Sequence, residues 1–236
     1  MTAAASGPGR ERPHHGLRGA MAPAAVVASR DFGRVVRAGI HFIDSIVSRA
    51  YRVRTFTDDP ECILRLSTRQ LEEPASLADG TELERGALII EIHFWNEHLP
   101  KIAGQGADVP WGRTFARLLS HSFRLLAERA MSQPRYQCFA AVHGEFGFML
   151  AEDVEHLKRM AELFGLELRL KEVPGLRFWT GAFWAQLYSW WLMWTFNPNT
   201  LRGKRLGNMA RSEVWASREA FLEKYLPGAA SASGPV

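Results

Sequence analysis

The residues from Glu91 to His98, read Glu-Ile-His-Phe-Trp-Asn-Glu-His, bring together the side chains best able to do chemistry in this chain. Leu88, Ile90, Ile92 and Phe94 alternate with Ile89, Glu91, His93 and Trp95, which is the period of a strand. On a strand, residues two apart share a face and lie roughly 6.5–7 Å apart. Glu91 and His93 therefore share one face, and the opposite, wholly apolar face reads as the core side. In a catalytic reading, His93 is the general base or a metal ligand, Glu91 orients it, and Asn96 binds an oxyanion. In a structural reading, His93 is a hydrogen-bonded histidine and Glu91 an ion-paired sheet residue. A second polar group, His143 and Glu145, ends another strand-like run. With Glu97 these residues are the expected ligand contacts, and they flank one cleft if the two strands are neighbours.

Several elements must position these groups. Residues 31–52 repeat apolar side chains (Phe32, Val35, Val36, Ile40, Ile43, Ile46, Val47) every three or four positions, with arginines between, and predict a basic amphipathic helix. That helix packs on the domain, or serves as a membrane-surface anchor or a partner-binding helix. Cys62–Ser67 reads as a first strand, and Asp79-Gly80 as a turn leading to the strand at 88–95. Asp108 and Pro110 open a helix that runs to about Met131. Tyr136–His143 reads as a third strand with Gly144-Glu145-Phe146-Gly147 as its exit loop. A helix from about Ala151 stops at Gly165, and Leu166–Leu170 alternates as an edge strand, so the pattern implies a parallel, right-handed crossover. Phe178–Phe196 holds nine aromatic residues and no charge. It reads as a core-covering helix, with interfacial or spanning alternatives. Ser212 is the expected cap of a last helix ending near Tyr225.

The chain has 236 residues, enough for one domain with a good core. Its net charge of +4 is uneven. Residues 1–54 hold nine arginines against Glu11, Asp31 and Asp44, and the remainder is slightly acidic. A basic character confined to the N-terminal part argues against a nucleic-acid-binding core. Residues 1–29 and 227–236 are small, polar and aperiodic, and are expected to be a disordered arm and tail. The intended partition is thus 1–29 arm, 30–54 helix, 55–226 domain and 227–236 tail. Cys62 and Cys138 sit in apolar runs and form neither a disulfide framework nor a zinc spacing, which suits a reducing compartment.

Thr55-Phe56-Thr57-Asp58-Asp59-Pro60 is superficially like the metal-binding aspartate motif of polysaccharide deacetylases, but the paired histidines that should follow are missing. No P-loop, dinucleotide fingerprint, nucleophile elbow or zinc-protease motif occurs. No cofactor and no metal are expected.

Four stretches look familiar together: Leu77–Gly86 with its Asp-Gly-Thr turn, Glu91–Leu99, Glu162–Leu170, and Glu213–Tyr225 with Trp-Ala-Ser-Arg at its start. Over roughly residues 45–226 the chain resembles the YkoP-like family. It departs in having Ile90 where glycine is common and Phe94-Trp95 where smaller residues are frequent. The resemblance implies a bacterial, envelope-related module of uncharacterised activity, whose relatives occur alone or appended to polysaccharide deacetylase domains.

The expectation is an α+β domain: a mixed sheet of about four strands with helices packed against it, plus the N-terminal helix. The leading function is a binding or accessory module for an envelope glycan or glycolipid. The alternatives are a small hydrolase or transferase using His93, Glu91 and Asn96, and a peripheral membrane protein. The expected location is cytoplasmic, peripheral to the inner membrane.

Overall fold

The computed structural model describes residues 22–103, 108–150, 154–171, 181–201 and 209–226. The chain forms two compact units, Met1–Gly39 and Ile40–Val236. In the first unit the described residues belong to the helix α1 (Ala22–Ala50), which continues into the second. It begins upstream of the periodic stretch because Ala22-Pro-Ala-Ala-Val-Val-Ala is itself helix-forming, with proline in the first turn. All that follows concerns the second unit.

There the strands β1 (Leu64–Gln70), β2 (Ala75–Ser76), β3 (Glu82–Leu83) and β4 (Leu88–Phe94) precede α2 (Val109–Ser132). Then come β5 (Ala141–Leu150), α3 (Val154–Leu163), β6 (Glu167–Lys171), α4 (Gly181–Phe196), β7 (Met209–Ser217) and α5 (Arg218–Tyr225). Five strands form one mixed sheet in the order β1-β4-β5-β7-β6, and β2 and β3 form a small hairpin. β4 and β5 are parallel neighbours, and the other pairs are antiparallel. The chain is α+β, as expected, with one strand more than the pattern suggested.

The additional strand is β7. Ser212 does not cap a helix. It lies buried inside β7, and Ser217 is the cap, accepting a hydrogen bond from the Ala220 amide at 3.2 Å. Arg211, Glu213 and Trp215 alternate with Ser212, Val214 and Ala216, and that strand period overrides the serine's capping preference. β7 also separates β5 from β6. Those two strands are parallel, as predicted, because both run antiparallel to β7, yet they do not touch as neighbours.

β5 starts five residues later than expected, because Pro134–Tyr136 winds into a 3-10 turn and buries Tyr136. It then continues through Gly144-Glu145-Phe146 instead of stopping there. Cys138 falls in the turn and is exposed, while Cys62 is buried. Asp108 does cap α2: its carboxylate accepts from the Trp111 amide at 2.8 Å. Gly165 ends the α3 turn at φ 69°, a conformation that favours glycine. The expected arm at 1–21, the tail at 227–236, and the expected helix starts at Ala151 and Phe178 lie outside the described residues.

Alternation gives the sheet two unlike faces. One carries Leu64, Leu66, Ile90, Ile92, Val142, Val214 and Ala216, which bury against Leu119, Phe123 and Leu126 of α2 and against Phe164 and Phe221. A side chain at Gly144 would meet Ile92 Cγ1 at 2.7 Å, so this row is packed without slack. The register aligns polar residues across the other face: Arg65 beside His93, Ser67 beside Glu91, Glu91 beside His143, and Glu145 beside Glu213. One end of that face is covered by the β2–β3 hairpin, whose Leu77 and Leu83 pack with Leu71 on Ile89, Ala141 and Trp215. Near the other end stand α4 and the last turns of α1.

Candidate functional site

The polar face is a connected network of charges. Arg69 Nε donates to Glu91 Oε1 at 2.5 Å, and the Ser67 hydroxyl donates to Glu91 Oε2 at 3.3 Å. His143 stands between two carboxylates, with Nδ1 3.3 Å from Glu91 and Nε2 3.1 Å from Glu213. Burial opposes a charge on His143, but the hydrogen bonds to Glu213 and Glu91 outweigh it and raise its pKa. The ring is then a cation donating from both nitrogens. Burial likewise pushes Glu91 up, but the hydrogen bonds from His143 and Arg69 win and hold it at about 2. Lys171 Nζ lies 2.6 Å from Glu145 and 4.0 Å from Glu213, and Arg211 lies 2.7 Å from Glu145.

His93 is a different case. Burial lowers its pKa, and the nearby Glu91 charge only partly offsets this, so the ring is neutral near pH 7. Its Nε2 is 2.9 Å from Ser67 Oγ. When the Ser67 hydroxyl donates to the ionised Glu91, it accepts from His93, whose proton then sits on Nε2. Nδ1 is left with a free lone pair. Glu91 thus orients His93 through Ser67, not by direct contact.

His93 lines a cavity of about 230 Å³. Its polar wall is Asp44, Arg65, His93, Asn96, Glu145 and Tyr188, and its apolar wall includes Val47, Val53, Phe94 and Leu192. Asp44 comes from α1, Arg65 from β1 and Tyr188 from α4. The Tyr188 hydroxyl donates to Asp44 Oδ1 at 2.5 Å, and Arg65 approaches Asp44 Oδ2 at 3.5 Å. Burial and the Asp44 hydrogen bond both raise the Tyr188 pKa, so the phenol keeps its proton. Arg65 Nε is buried without a hydrogen-bond partner among the described residues.

The structure therefore brings His93, Asn96 and Glu145 to one cavity. Glu91 and His143 form the layer that holds them. Glu97 turns away: it is exposed, and its ion-pair contact is His41 at 4.0 Å. His143 and Glu145 lie within β5, not at a strand end; β4 and β5 are neighbours, and their pairing places His143 beside Glu91, while Glu145 pairs with Glu213. Asp44, Arg65, Ser67, Glu213 and Tyr188 escaped sequence reasoning. Asp44 had a readable signal, as the one acid within the apolar-rich stretch from Ile40 to Tyr51. Arg65, Ser67 and Arg69 alternate with Leu64 and Leu66, which marks one polar face. Nothing in the aromatic run distinguishes Tyr188.

His143, Glu145 and Glu213 offer ligand atoms that all lie within 4.8 Å of one another, a spacing a metal ion could use. Lys171 and Arg211 already supply the countercharge there, so the geometry is that of an ion-pair network. Asp59 of the rejected aspartate motif meets His121 at 2.9 Å on the surface, where it also closes a local turn with the Glu61 amide.

A family model described as the YkoP domain matches residues 33–225. The chain belongs to the YkoP domain family. The match takes in every strand of the sheet and every cavity residue, so the polar face and its cavity are parts of the YkoP domain itself. No curated protein and no solved structure matches the chain. Among the described residues, no helix of this YkoP domain is long and apolar enough to cross a membrane.

Proposed function

We propose that this YkoP domain binds one sugar unit of an envelope glycan or glycolipid in the cavity between the polar sheet face and α4. The observation that carries the reading is a small, charge-balanced cavity with hydrogen-bonding groups on one wall and apolar groups on the other. Drug-sized ligands occupy roughly 300–1,000 Å³. A cavity of about 230 Å³ suits a single ring. Asp44 and Arg65 neutralise each other, His93 is neutral, and Glu145 is held by Lys171 and Arg211. Among the described residues, no unopposed cation lines this wall to attract a phosphate. Asp44 and the Tyr188 oxygen accept, Arg65 and Asn96 donate, and Val47, Val53 and Leu192 offer an apolar surface for the C–H face of a sugar.

Calorimetric titration with short N-acetylhexosamine oligomers tests this. Binding should appear and should fall at least tenfold in Asn96→Ala and in Arg65→Met. Blank titrations across a panel of envelope oligosaccharides would remove the reading.

The Ser67–His93 hydrogen bond favours a second reading, a small hydrolase or transferase. Here His93 Nδ1, neutral and with its tautomer set, takes a proton from water or a substrate hydroxyl, while Asn96 and Arg65 stabilise developing negative charge. Turnover on acetylated or glycosidic substrates should then rise with pH through a group near or below 6.5 and vanish in His93→Gln. Bound sugar with no turnover in the wild type would leave the binding reading alone.

A further inference from the structure

We propose that the outward side of α1 from Phe42 onward, together with the arginines that follow it, seats this domain on an anionic bilayer surface. On α1, Ile40, Asp44, Val47 and Ser48 are turned toward the domain: Ile40 and Asp44 are buried, and Asp44, Val47 and Ser48 line the cavity. Helical spacing puts Phe42, Ile46 and Arg49 on the opposite side, with Ile43 at its edge. Phe42 is 66% exposed, Ile43 40% and Ile46 49%. Scattered exposed apolar residues are ordinary, but three large ones on adjacent turns of one helix make a stripe that water does not favour. On α4, which packs beside this part of α1 through Tyr188 and Asp44, Trp184 and Trp191 are seven residues apart, hence on one side, and 49% and 37% exposed. Tryptophan is enriched where water meets lipid.

The charges select the partner. Arg49, Arg52 and Arg54 are exposed at the end of this stripe, whereas the acid of the segment, Asp44, is turned inward and engaged by Tyr188 and Arg65. A second copy docking on the same patch would bring Arg49, Arg52 and Arg54 against their own copies. Apolar side chains flanked by arginine suit a surface that is itself apolar inside and anionic outside. Such a surface would also present glycolipid headgroups to the cavity, although the inference stands on its own observations.

The test uses the full chain and sedimentation with vesicles of phosphatidylcholine containing about a third phosphatidylglycerol, against phosphatidylcholine alone. The expected result is co-sedimentation with the anionic vesicles at low salt, loss at high salt, and at least a tenfold drop in Phe42→Asp/Ile46→Asp and in Arg49→Glu/Arg52→Glu. Both substituted sets are exposed, and unchanged circular dichroism checks that the variants fold. Protein left in the supernatant at low salt overturns the proposal. So does co-sedimentation undiminished in Phe42→Asp/Ile46→Asp, or a wild-type dimer in light scattering that those two substitutions dissolve.

Discussion

His93 and His143 point from neighbouring strands onto the same sheet face, and burial penalises the charged form of both. His143 overcomes it through two carboxylates, and His93, whose side chain meets the Ser67 hydroxyl, does not. The consequence is a stability profile with two sides. An unfolded histidine titrates near 6.5. Below that pH the unfolded chain binds a proton that folded His93 refuses, so stability falls as pH drops from 6.5 toward the folded value of His93. Above it, folded His143 keeps a proton the unfolded chain releases, so stability falls as pH rises from 6.5 through the folded value of His143. Thermal unfolding between pH 5 and 8.5 should therefore show a maximum near 6.5. His93→Gln should flatten the acid limb and His143→Gln the alkaline limb; unchanged limbs in either variant would refute the assignment. Glu91→Gln removes a carboxylate that Arg69 and His143 share, and should cost roughly 1–3 kcal/mol by denaturant unfolding, since Arg69 loses its carboxylate and His143 is left with Glu213.

Caps and close contacts decide where the elements begin and how tightly they meet. Ser217→Ala should cost about 1 kcal/mol through loss of the α5 cap, while Ser212→Ala, in the strand, should leave α5 untouched. Ser122 on α2 accepts from the Ile63 amide at 2.9 Å and donates to the Leu118 carbonyl, so Ser122→Ala orphans a buried amide and should cost roughly 1–3 kcal/mol. Gly144→Ala must displace Ile92 and should cost a similar amount, roughly 1–3 kcal/mol. Arg52 follows α1 at φ 54°, where glycine is at ease. Arg52→Gly is expected to stabilise the fold by about 1 kcal/mol while weakening vesicle binding, a split that unfolding and sedimentation together would read. α2 and α3 were legible because their apolar stripes, the Asp108 cap and the Gly165 stop agree with one another. β7 was not, because a serine three residues after a polar loop reads equally well as a cap until a neighbouring strand is there to pair with it.

Across the whole domain the sheet has an oily side under three helices and a charged side shared by the β2–β3 hairpin, α4 and the end of α1. Alternation along each strand made that division visible in advance: Glu91 and His93 against Ile90 and Ile92, Arg65 and Ser67 against Leu64 and Leu66. Periodicity of 2 or 3.6 is a local property, and the chain states it residue by residue. It could not state the strand order. β7 enters between β5 and β6 from more than forty residues downstream of β5, and that insertion is what sets Glu213 against His143. Nor could it state that Asp44, Arg65 and Tyr188, separated by 21 and 144 positions in their contacts to Asp44, would close one cavity around His93 and Asn96. The sequence alone determined which faces are apolar, where most helices start and stop, and the family to which the chain belongs. Only the tertiary structure decided which polar groups meet, because pairing between distant strands depends on the packing of the whole sheet and leaves no periodic trace in any one segment.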